Sequence, residues 1–168
     1  MTAVSKETRQ KTQQERLRRN EQKWTVPLME AGWSVLPNVI LDRQKILKLD
    51  PVDVNILLHL VKHWWYADRL PYPSKQTIAD CMGVDASTVR RHIAKLEKRN
   101  LIQRVARYDK RKGQQSNQYD LTGLIDAARP LAEEMIEIRK SRKKKDAKNR
   151  VMRSLRVVTS AEEESDDE

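Results

Sequence analysis

The chain has 168 residues, of which 38% are hydrophobic and 35% are charged, and its formal net charge at pH 7 is +10. This length allows one domain of about 100 residues with extensions on either side. No apolar run approaches the length of a membrane span, and the single cysteine excludes an internal disulfide. We therefore expect a cytoplasmic protein that makes no contact with a membrane.

Residues 1–23 form the first predicted unit, a basic arm with seven Lys or Arg residues and three acidic ones. The arm has almost no large apolar side chains, so it is not expected to bury a face of its own or to act as a signal peptide. Apolar residues begin at Trp24. Pro37 separates residues 33–36 from the apolar residues 39–41. This pattern predicts that the segment is extended or forms a single turn.

A first framework helix is predicted from Pro51 to about Tyr66. Asp50 is a suitable N-cap residue, and proline at the first helical position is typical of a helix start. Apolar residues then recur at intervals of three and four, which predicts that one face of this helix is buried. The residues expected on that face are Val54, Leu57, Leu58 and Val61.

Two further helices are predicted on either side of Gly83, which lies where a left-handed residue would end the first of them. Ser74 caps the second helix after the non-helical segment 70–73, and Asp85 caps the third, which ends at Asn100. The predicted core positions are Ile78, Ala79, Cys81 and Met82 in the second helix, and Val89, Ile93 and Leu96 in the third.

A basic hairpin is predicted to follow, with strands at residues 101–108 and 117–121 and a turn at residues 109–113. This is the order of elements in a winged helix-turn-helix: two helices, a glycine turn, a third helix and a hairpin. The predicted fold class is therefore mainly α with a small β-hairpin, and residues 24–122 form the winged helix-turn-helix domain.

The C-terminal part is predicted to be a helical basic extension over residues 123–159, followed by a disordered acidic tail over residues 160–168. Because proline disrupts a helix interior, a short helix at residues 122–128 and a new helix from Pro130 are expected. Residues 139–156 hold ten basic residues and one acidic residue. This stretch favours a DNA-backbone arm or a segment that binds a protein partner, while apolar residues at its ends leave a coiled-coil homodimer open.

Positive charge is concentrated between residues 86 and 112, where ten basic residues and two acidic ones give a local charge of +8. Such a contiguous stretch is the pattern expected for a polyanion partner, with a solvated face as the alternative. On the third helix, small residues near the N-terminus would let the backbone approach the major groove, and arginines one turn on can contact guanine in bidentate fashion. The predicted base-reading residues are Ser87, Arg90, Arg91 and Lys95.

Contacts with the DNA backbone are predicted at the N-terminus of the second helix, in the third helix and along the hairpin. Two of these groups have an alternative: Ser74 caps its helix in any case, and hairpin tips are often charged for solubility. For the base-reading residues Arg90 and Arg91, the alternative is an ordinary surface pair with Glu97 or nearby acids. The predicted backbone residues are Ser74, Lys75, Gln76, Thr88, Arg104, Arg107, Lys110, Arg111 and Lys112.

The sequence also resembles a known class of proteins. The motif residues are 70–79, 82–84, 87–93, 96–102 and 115–121, with the segment 36–38 upstream. They are similar to the bacterial helix-turn-helix proteins of phages, plasmids and integrative elements, which are related to replication initiators and replisome organisers. The resemblance covers about residues 33–124 and implies the winged fold, together with a role in transcription control or in replication.

No arrangement of residues suggests catalysis. His59 and His63 have the four-residue spacing of a metal-binding pair, but the sequence offers no third ligand close by. Cys81, among apolar neighbours, is interpreted as a small core residue. No phosphate loop, paired carboxylates or nucleophile motif is present, so we expect no enzyme activity, no catalytic residue, no metal and no cofactor.

Two functional classes fit these features, and both have double-stranded DNA as the partner, so we expect the protein to be nucleoid-associated. In the first, the protein is a sequence-specific transcriptional regulator or replication initiator of a mobile element. Its third helix would lie in the major groove and its basic wing on the backbone. In the second, it is an accessory DNA-docking or architectural component of a larger nucleoprotein assembly. The small residues at the start of the third helix favour the first class.

Overall fold

A computed structural model describes residues 15, 18–109, 111 and 113–163, with side chains described up to residue 149 except at 148. Residues 18–24 are helical. None of the described helices is both long enough and apolar enough to cross a membrane. The further elements are helices α1 (Val26–Glu30), α2 (Asn38–Asp42), α3 (Pro51–Lys62), α4 (Lys75–Met82), α5 (Ala86–Lys98) and α6 (Thr122–Glu163), and strands β1 (Gln103–Val105), β2 (Tyr108–Asp109), β3 (Gly113–Gln114) and β4 (Gln118–Asp120).

Two short helices precede α3, and the second of them, α2, lies where the sequence predicted an extended segment or a single turn. α1 buries no residue, but α2 buries Val39 and Ile40. The extended alternative at residues 39–41 is therefore wrong. A helix of about one turn can bury adjacent apolar residues against the core. Such a helix is too short to show the three- and four-residue spacing by which a helix is predicted from sequence.

α3 begins as predicted, with a reciprocal capping box. The backbone N–H of Asp53 donates to Asp50 Oδ1 at 2.8 Å, and the backbone N–H of Asp50 donates to Asp53 Oδ2 at 3.1 Å. The helix ends at Lys62 rather than at Tyr66, because the next two N–H groups bond to carbonyls only three residues back. Leu58 was predicted in the core and is exposed; Ile56 is fully buried in its place.

The predicted caps of α4 and α5 are confirmed. Ser74 accepts a hydrogen bond from the backbone N–H of Thr77 at 2.9 Å, and Asp85 accepts one from that of Ser87 at 2.6 Å. Gly83 has φ +66°, the left-handed conformation that closes α4 and turns the chain into α5. Cys81, however, is exposed, so its prediction as a core residue is wrong: Ile78 and Ala79 form the buried face of α4.

The wing is a hairpin made of two short antiparallel ladders. β1 pairs with β4, with Gln103 opposite Asp120, and β2 pairs with β3, with Tyr108 opposite Gln114. The predicted strand 101–108 is therefore interrupted. Its first two residues are buried and lead into the ladder, and its continuation breaks between β1 and β2.

One core joins the helices, the wing and the first turns of α6. Tyr119 is 1% exposed, and its backbone N–H donates to the carbonyl of Pro71 at 2.9 Å, which ties β4 to the segment before α4. The most deeply buried apolar residues are Ile56, Leu57, Leu60, Ile78, Ala79, Val89, Ile93, Leu96, Ile102, Tyr119, Leu121 and Leu124.

α6 is a single helix that runs through Pro130, so the predicted break at this residue is wrong. Proline removes one N–H donor from the helix. Leu124 and Ala128 before it are buried, and Leu131 after it packs against the same core, so both halves are held on one surface. The helix also begins in close contact with the end of α5. A Cβ added to Gly123 would lie 1.9 Å from the carbonyl oxygen of Asn100.

Candidate nucleic-acid interface

α5 has one buried face and one exposed face, as its apolar spacing predicted. Val89, Ile93 and Leu96 are fully buried. The exposed side chains are Ser87, Arg90, Arg91, Ala94 and Lys98. Within the described part of the chain, no residue forms a hydrogen bond or ion pair with the side chains of Arg91 and Lys98. We call the set of these five exposed residues the open face of α5.

The N-terminus of α5 places a carboxylate next to the open face. Two hydrogen bonds from Ser87 lower the pKa of Asp85, and the charge of Arg90 lowers it further, against a small opposing effect of burial. The same carboxylate caps the helix. Asp85 therefore stays ionised at neutral pH and fixes the start of α5 while Arg90 remains exposed.

A second group of basic side chains, on α5 and at its C-cap, points toward α3 and contacts the capping box. The ammonium of Lys95 contacts Asp50 Oδ2 and lies 3.0 Å from Asp53 Oδ2. His92 Nδ1 lies 2.7 Å from Asp53 Oδ1, and Arg99 lies 3.6 Å from Asp53 Oδ2. We call these five residues the carboxylate network.

The centre of the network is Asp53, whose side chain is fully buried. Burial raises the pKa of Asp50, but the hydrogen bonds from Lys95 and from the backbone of Asp53, with the charges of His92 and Lys95, outweigh it, and the pKa is lowered. Hydrogen bonds to Asp50 and Asp53 raise the pKa of Lys95. Lys95 therefore remains protonated and paired at neutral pH.

The carboxylates of Asp50 and Asp53, together with His92, also have the composition of a small metal site, since one ligand atom from each lies within 4.8 Å of the others. The ammonium of Lys95 already lies against both carboxylates, however, where a cation would bind. The arrangement is a salt-bridge network between two helices, in which Lys95 supplies the positive charge.

The wing is attached to α5 by an ion pair in which two guanidinium N–H groups of Arg104 donate to one carboxylate oxygen of Glu97. Arg104 Nε donates to Glu97 Oε2 at 2.9 Å, its Nη2 donates to the same oxygen, and its backbone N–H lies 3.3 Å from Oε1. The hydrogen bond from Arg104 lowers the pKa of Glu97 although burial opposes it. Arg104, predicted to bind the DNA backbone, thus has a structural partner, and so does Lys95, predicted to read bases.

The N-terminus of α4 carries three of the predicted backbone-binding residues. Ser74 is occupied by capping and also shares a hydrogen bond of 2.8 Å with the Thr77 hydroxyl. Lys75 is half-buried, and its charge contributes to lowering the pKa of Glu97. Gln76 is exposed and donates to Asp80 at 2.7 Å.

The remaining predicted contacts lie in α5 and in the wing. Thr88 is half-buried, and Arg111 is exposed at the hairpin tip, where its backbone N–H donates to Asp109 Oδ1 at 2.8 Å. The guanidinium of Arg107 lies over the Tyr72 ring, 4.1 Å from its centroid. Two predicted contacts, Lys110 and Lys112, lie outside the described residues.

Sequence reasoning missed two features of this region. One is the capture of Lys95 by Asp50 and Asp53, which are 45 and 42 residues away along the chain. The other is a group of exposed aromatic rings after α3, two of which lie against arginines. The run Trp64-Trp65-Tyr66 and the nearby Tyr72, in a region without regular structure, was a usable signal for the second feature.

Comparison with known proteins bears on the fold. Residues 47–102 match a family model described as "Helix-turn-helix domain", whereas no curated protein matches the chain. The N-terminal domain of DnaD protein from Geobacillus kaustophilus HTA426 is 18% identical, with a TM-score of 0.49, and the match covers 71% of this chain and 96% of that one. A possible transcriptional regulator from Methanosarcina mazei Go1 is also 18% identical, with a TM-score of 0.40 over 64% of this chain and 85% of that one.

The family match includes α3, α4 and α5, and the hairpin that follows them supplies the wing. The predicted order of helix, helix, glycine turn, helix and hairpin is confirmed. Residues 47–102 are a helix-turn-helix domain, and together with the hairpin from β1 to β4 they form a winged helix-turn-helix.

Proposed function

We propose that this protein binds double-stranded DNA in a sequence-specific manner, with the open face of α5 in the major groove. The observation that carries the proposal is the open face itself. It combines exposed arginines at positions 90 and 91 with two small side chains, Ser87 and Ala94. Small residues allow close approach of the helix to base edges, and the guanidinium of Arg91, which has no partner among the described residues, is available for bidentate contact with guanine.

The base-contacting residues in this proposal are Ser87, Arg90 and Arg91. Lys95 is not assigned a base contact, because leaving Asp50 and Asp53 would separate a buried carboxylate from its cation. Backbone contacts are assigned to Lys75 and Gln76 at the start of α4, to Thr88, and to Arg111 with its neighbours at the hairpin tip. Arg104 positions the wing through Glu97 rather than contacting phosphate.

Such a protein would act as a transcriptional regulator or as a replication initiator, and both roles require a preferred DNA site. Under the alternative, an accessory docking component of a nucleoprotein assembly, the same basic surface would bind DNA without a preferred site. The concentration of small and guanidinium side chains on one helical face favours a preferred site, since backbone docking needs only charge.

The test is selection of bound sequences from random duplex DNA, followed by affinity measurements on the recovered site. We expect wild-type protein to recover a defined motif. Arg91→Ala should lose about 1–3 kcal/mol on that site and relax preference at one or two base pairs. Lys45→Ala, which removes an exposed cation between α2 and α3, is the matched control and should leave the motif unchanged.

Two outcomes would contradict the proposal. If wild-type protein binds duplex DNA but recovers no motif, the docking alternative is correct. If Arg91→Ala recovers the wild-type motif with unchanged affinity, α5 does not read bases through its open face.

A further inference from the structure

A cleft of about 470 Å³ opens between the segment that follows α3 and the wing, and aromatic rings and arginines line it. Three of its rings are largely exposed: Trp65 at 77%, Tyr66 at 62% and Tyr72 at 52%. Aromatic side chains usually contribute to a core because of their large apolar area. Three exposed rings in one concavity therefore indicate a ligand-binding surface.

Arginines stack against two of these rings. The guanidinium of Arg69 lies 5.2 Å from the centroid of Tyr66, and that of Arg107 lies 4.1 Å from the centroid of Tyr72. Both distances are within the range of a cation–π interaction. The cleft thus carries positive charge directly beside two of its rings.

Hydrogen bonds hold the second of these pairs in place. Arg107 Nη2 donates to Ser116 Oγ at 3.4 Å, and that hydroxyl donates to the carbonyl of Tyr72 at 2.9 Å. The Nε of Arg107 is buried and has no hydrogen-bond partner in the described part of the chain. These contacts position the guanidinium of Arg107 against the Tyr72 ring.

The charge of the cleft suits an anion. Arg69 and Arg107 line it, and no carboxylate is among the described residues that form its walls. The hydroxyl groups of Ser74, Thr77 and Ser116 are uncharged and also line the cleft. A ligand that fits this surface carries negative charge along a flexible chain and has flat faces to stack on the rings.

We propose that this cleft binds single-stranded nucleic acid, with unpaired bases stacked on Trp65, Tyr66 and Tyr72 and the phosphates near Arg69 and Arg107. Aromatic platforms within a basic groove bind single strands without strong sequence preference, because every base has a π face. Bases in a duplex stack on one another and expose only their edges, so a duplex would leave these rings uncovered. The binding is independent of the base contacts proposed for α5.

The experiment measures binding of the full chain to fluorescently labelled dT12 by anisotropy. Trp65→Ala and Tyr72→Ala should each weaken the Kd about tenfold. Tyr72→Phe, which keeps the ring, should retain the wild-type Kd. Trp33→Ala removes an equally accessible ring, 53% exposed, outside the cleft and is the matched control. An oligomer of deoxyribose phosphate without bases should bind at least about tenfold more weakly than dT12.

Several results would overturn the inference. These are dT12 binding that survives both alanine substitutions, equal binding of the abasic oligomer, or no binding of dT12 by wild-type protein. Equal weakening of duplex and dT12 binding in Tyr72→Ala would assign the cleft to the duplex interface and also overturn the inference.

Trp65 is exposed, so its substitution leaves the core intact. Quenching of tryptophan emission by dT12 should diminish in Trp65→Phe. Arg91→Ala should leave dT12 binding unchanged, which separates this inference from the proposed function.

Discussion

α5 and its C-cap carry cations on two sides, and the two groups differ in whether they are paired with carboxylates. Toward α3, Lys95 and Arg99 lie against the carboxylates of the capping box. On the open face, Arg91 and Lys98 have no partner among the residues that the structure describes. In sequence the two groups are interleaved, so a local charge of +8 overstates the charge available to DNA. The difference shows that pairing, rather than charge count, distinguishes a binding residue from a structural one.

The largest effect is expected at Asp53, which is fully buried and whose carboxylate lies against the side chains of Lys95, Arg99 and His92. Asp53→Asn should lower the free energy of unfolding by about 3 kcal/mol, because cations that lie against the buried carboxylate lose their partner. Urea unfolding measures this. Asp126→Asn, at an exposed ion pair with Arg129, is the control and should change stability by less than about 0.5 kcal/mol. A similarly small effect of Asp53→Asn would mean that the network contributes nothing to the domain.

Lys95→Ala should change the stability of the protein, whereas Arg91→Ala should change its affinity for DNA. The lysine substitution should lower the urea midpoint, since Asp50 and Asp53 lose their closest cation, and should leave duplex affinity within about 0.5 kcal/mol of wild type. The arginine substitution should leave the midpoint unchanged and weaken duplex binding. If Lys95→Ala weakens binding as much as Arg91→Ala does, Lys95 leaves the network on binding DNA, and the original prediction that it reads bases is correct.

Acid should weaken both internal attachments of α5. The folded-state pKa values of Asp50 and Glu97 are lowered, so the unfolded chain binds more protons at these groups in acid. Their contribution to stability is present above the ordinary carboxyl pKa of about 4 and is lost as the pH falls through the lowered values. Urea midpoints measured from pH 7 to pH 3 should fall less steeply below pH 4 in Asp50→Asn/Glu97→Gln than in wild type. Parallel curves would contradict this prediction.

The effect that depends least on DNA sequence is expected at the hairpin tip, where cations would contact backbone rather than bases. Replacing Lys110, Arg111 and Lys112 with serine should weaken binding to every duplex similarly. It should also reduce the slope of log K against log salt by about two to three units. The preferred site should stay the same. An unchanged slope would mean that these side chains do not contact phosphate, and a changed site would mean that the wing contributes to base reading.

Local features of the structure could be predicted from sequence because their causes are local. Asp50, Ser74 and Asp85 cap their helices through hydrogen bonds to residues two or three positions away. Gly83 ends α4 because its backbone adopts a positive φ at little steric cost. The buried faces of α4 and α5 followed from apolar spacing, except at Cys81. The order of elements, and with it the winged helix-turn-helix, was therefore determined by the sequence.

Packing decided the features that depend on distant residues. Pro130 predicted a break, but apolar residues on both sides of it pack against one core and keep α6 continuous. The aromatic cleft forms only where the segment after α3 meets the wing, so its rings had no visible partner in the linear pattern.

Lys95 and Arg91 illustrate the same limit within the proposed interface. They lie four residues apart on α5, and helical projection places both away from the buried face. Asp50 reaches Lys95 only because α3 packs beside α5, and its separation of 45 residues leaves no trace in local periodicity. The sequence by itself determined which residues are charged and which helix carries them. Tertiary structure decided which charges are neutralised internally, because electrostatic pairing depends on distance in space rather than along the chain.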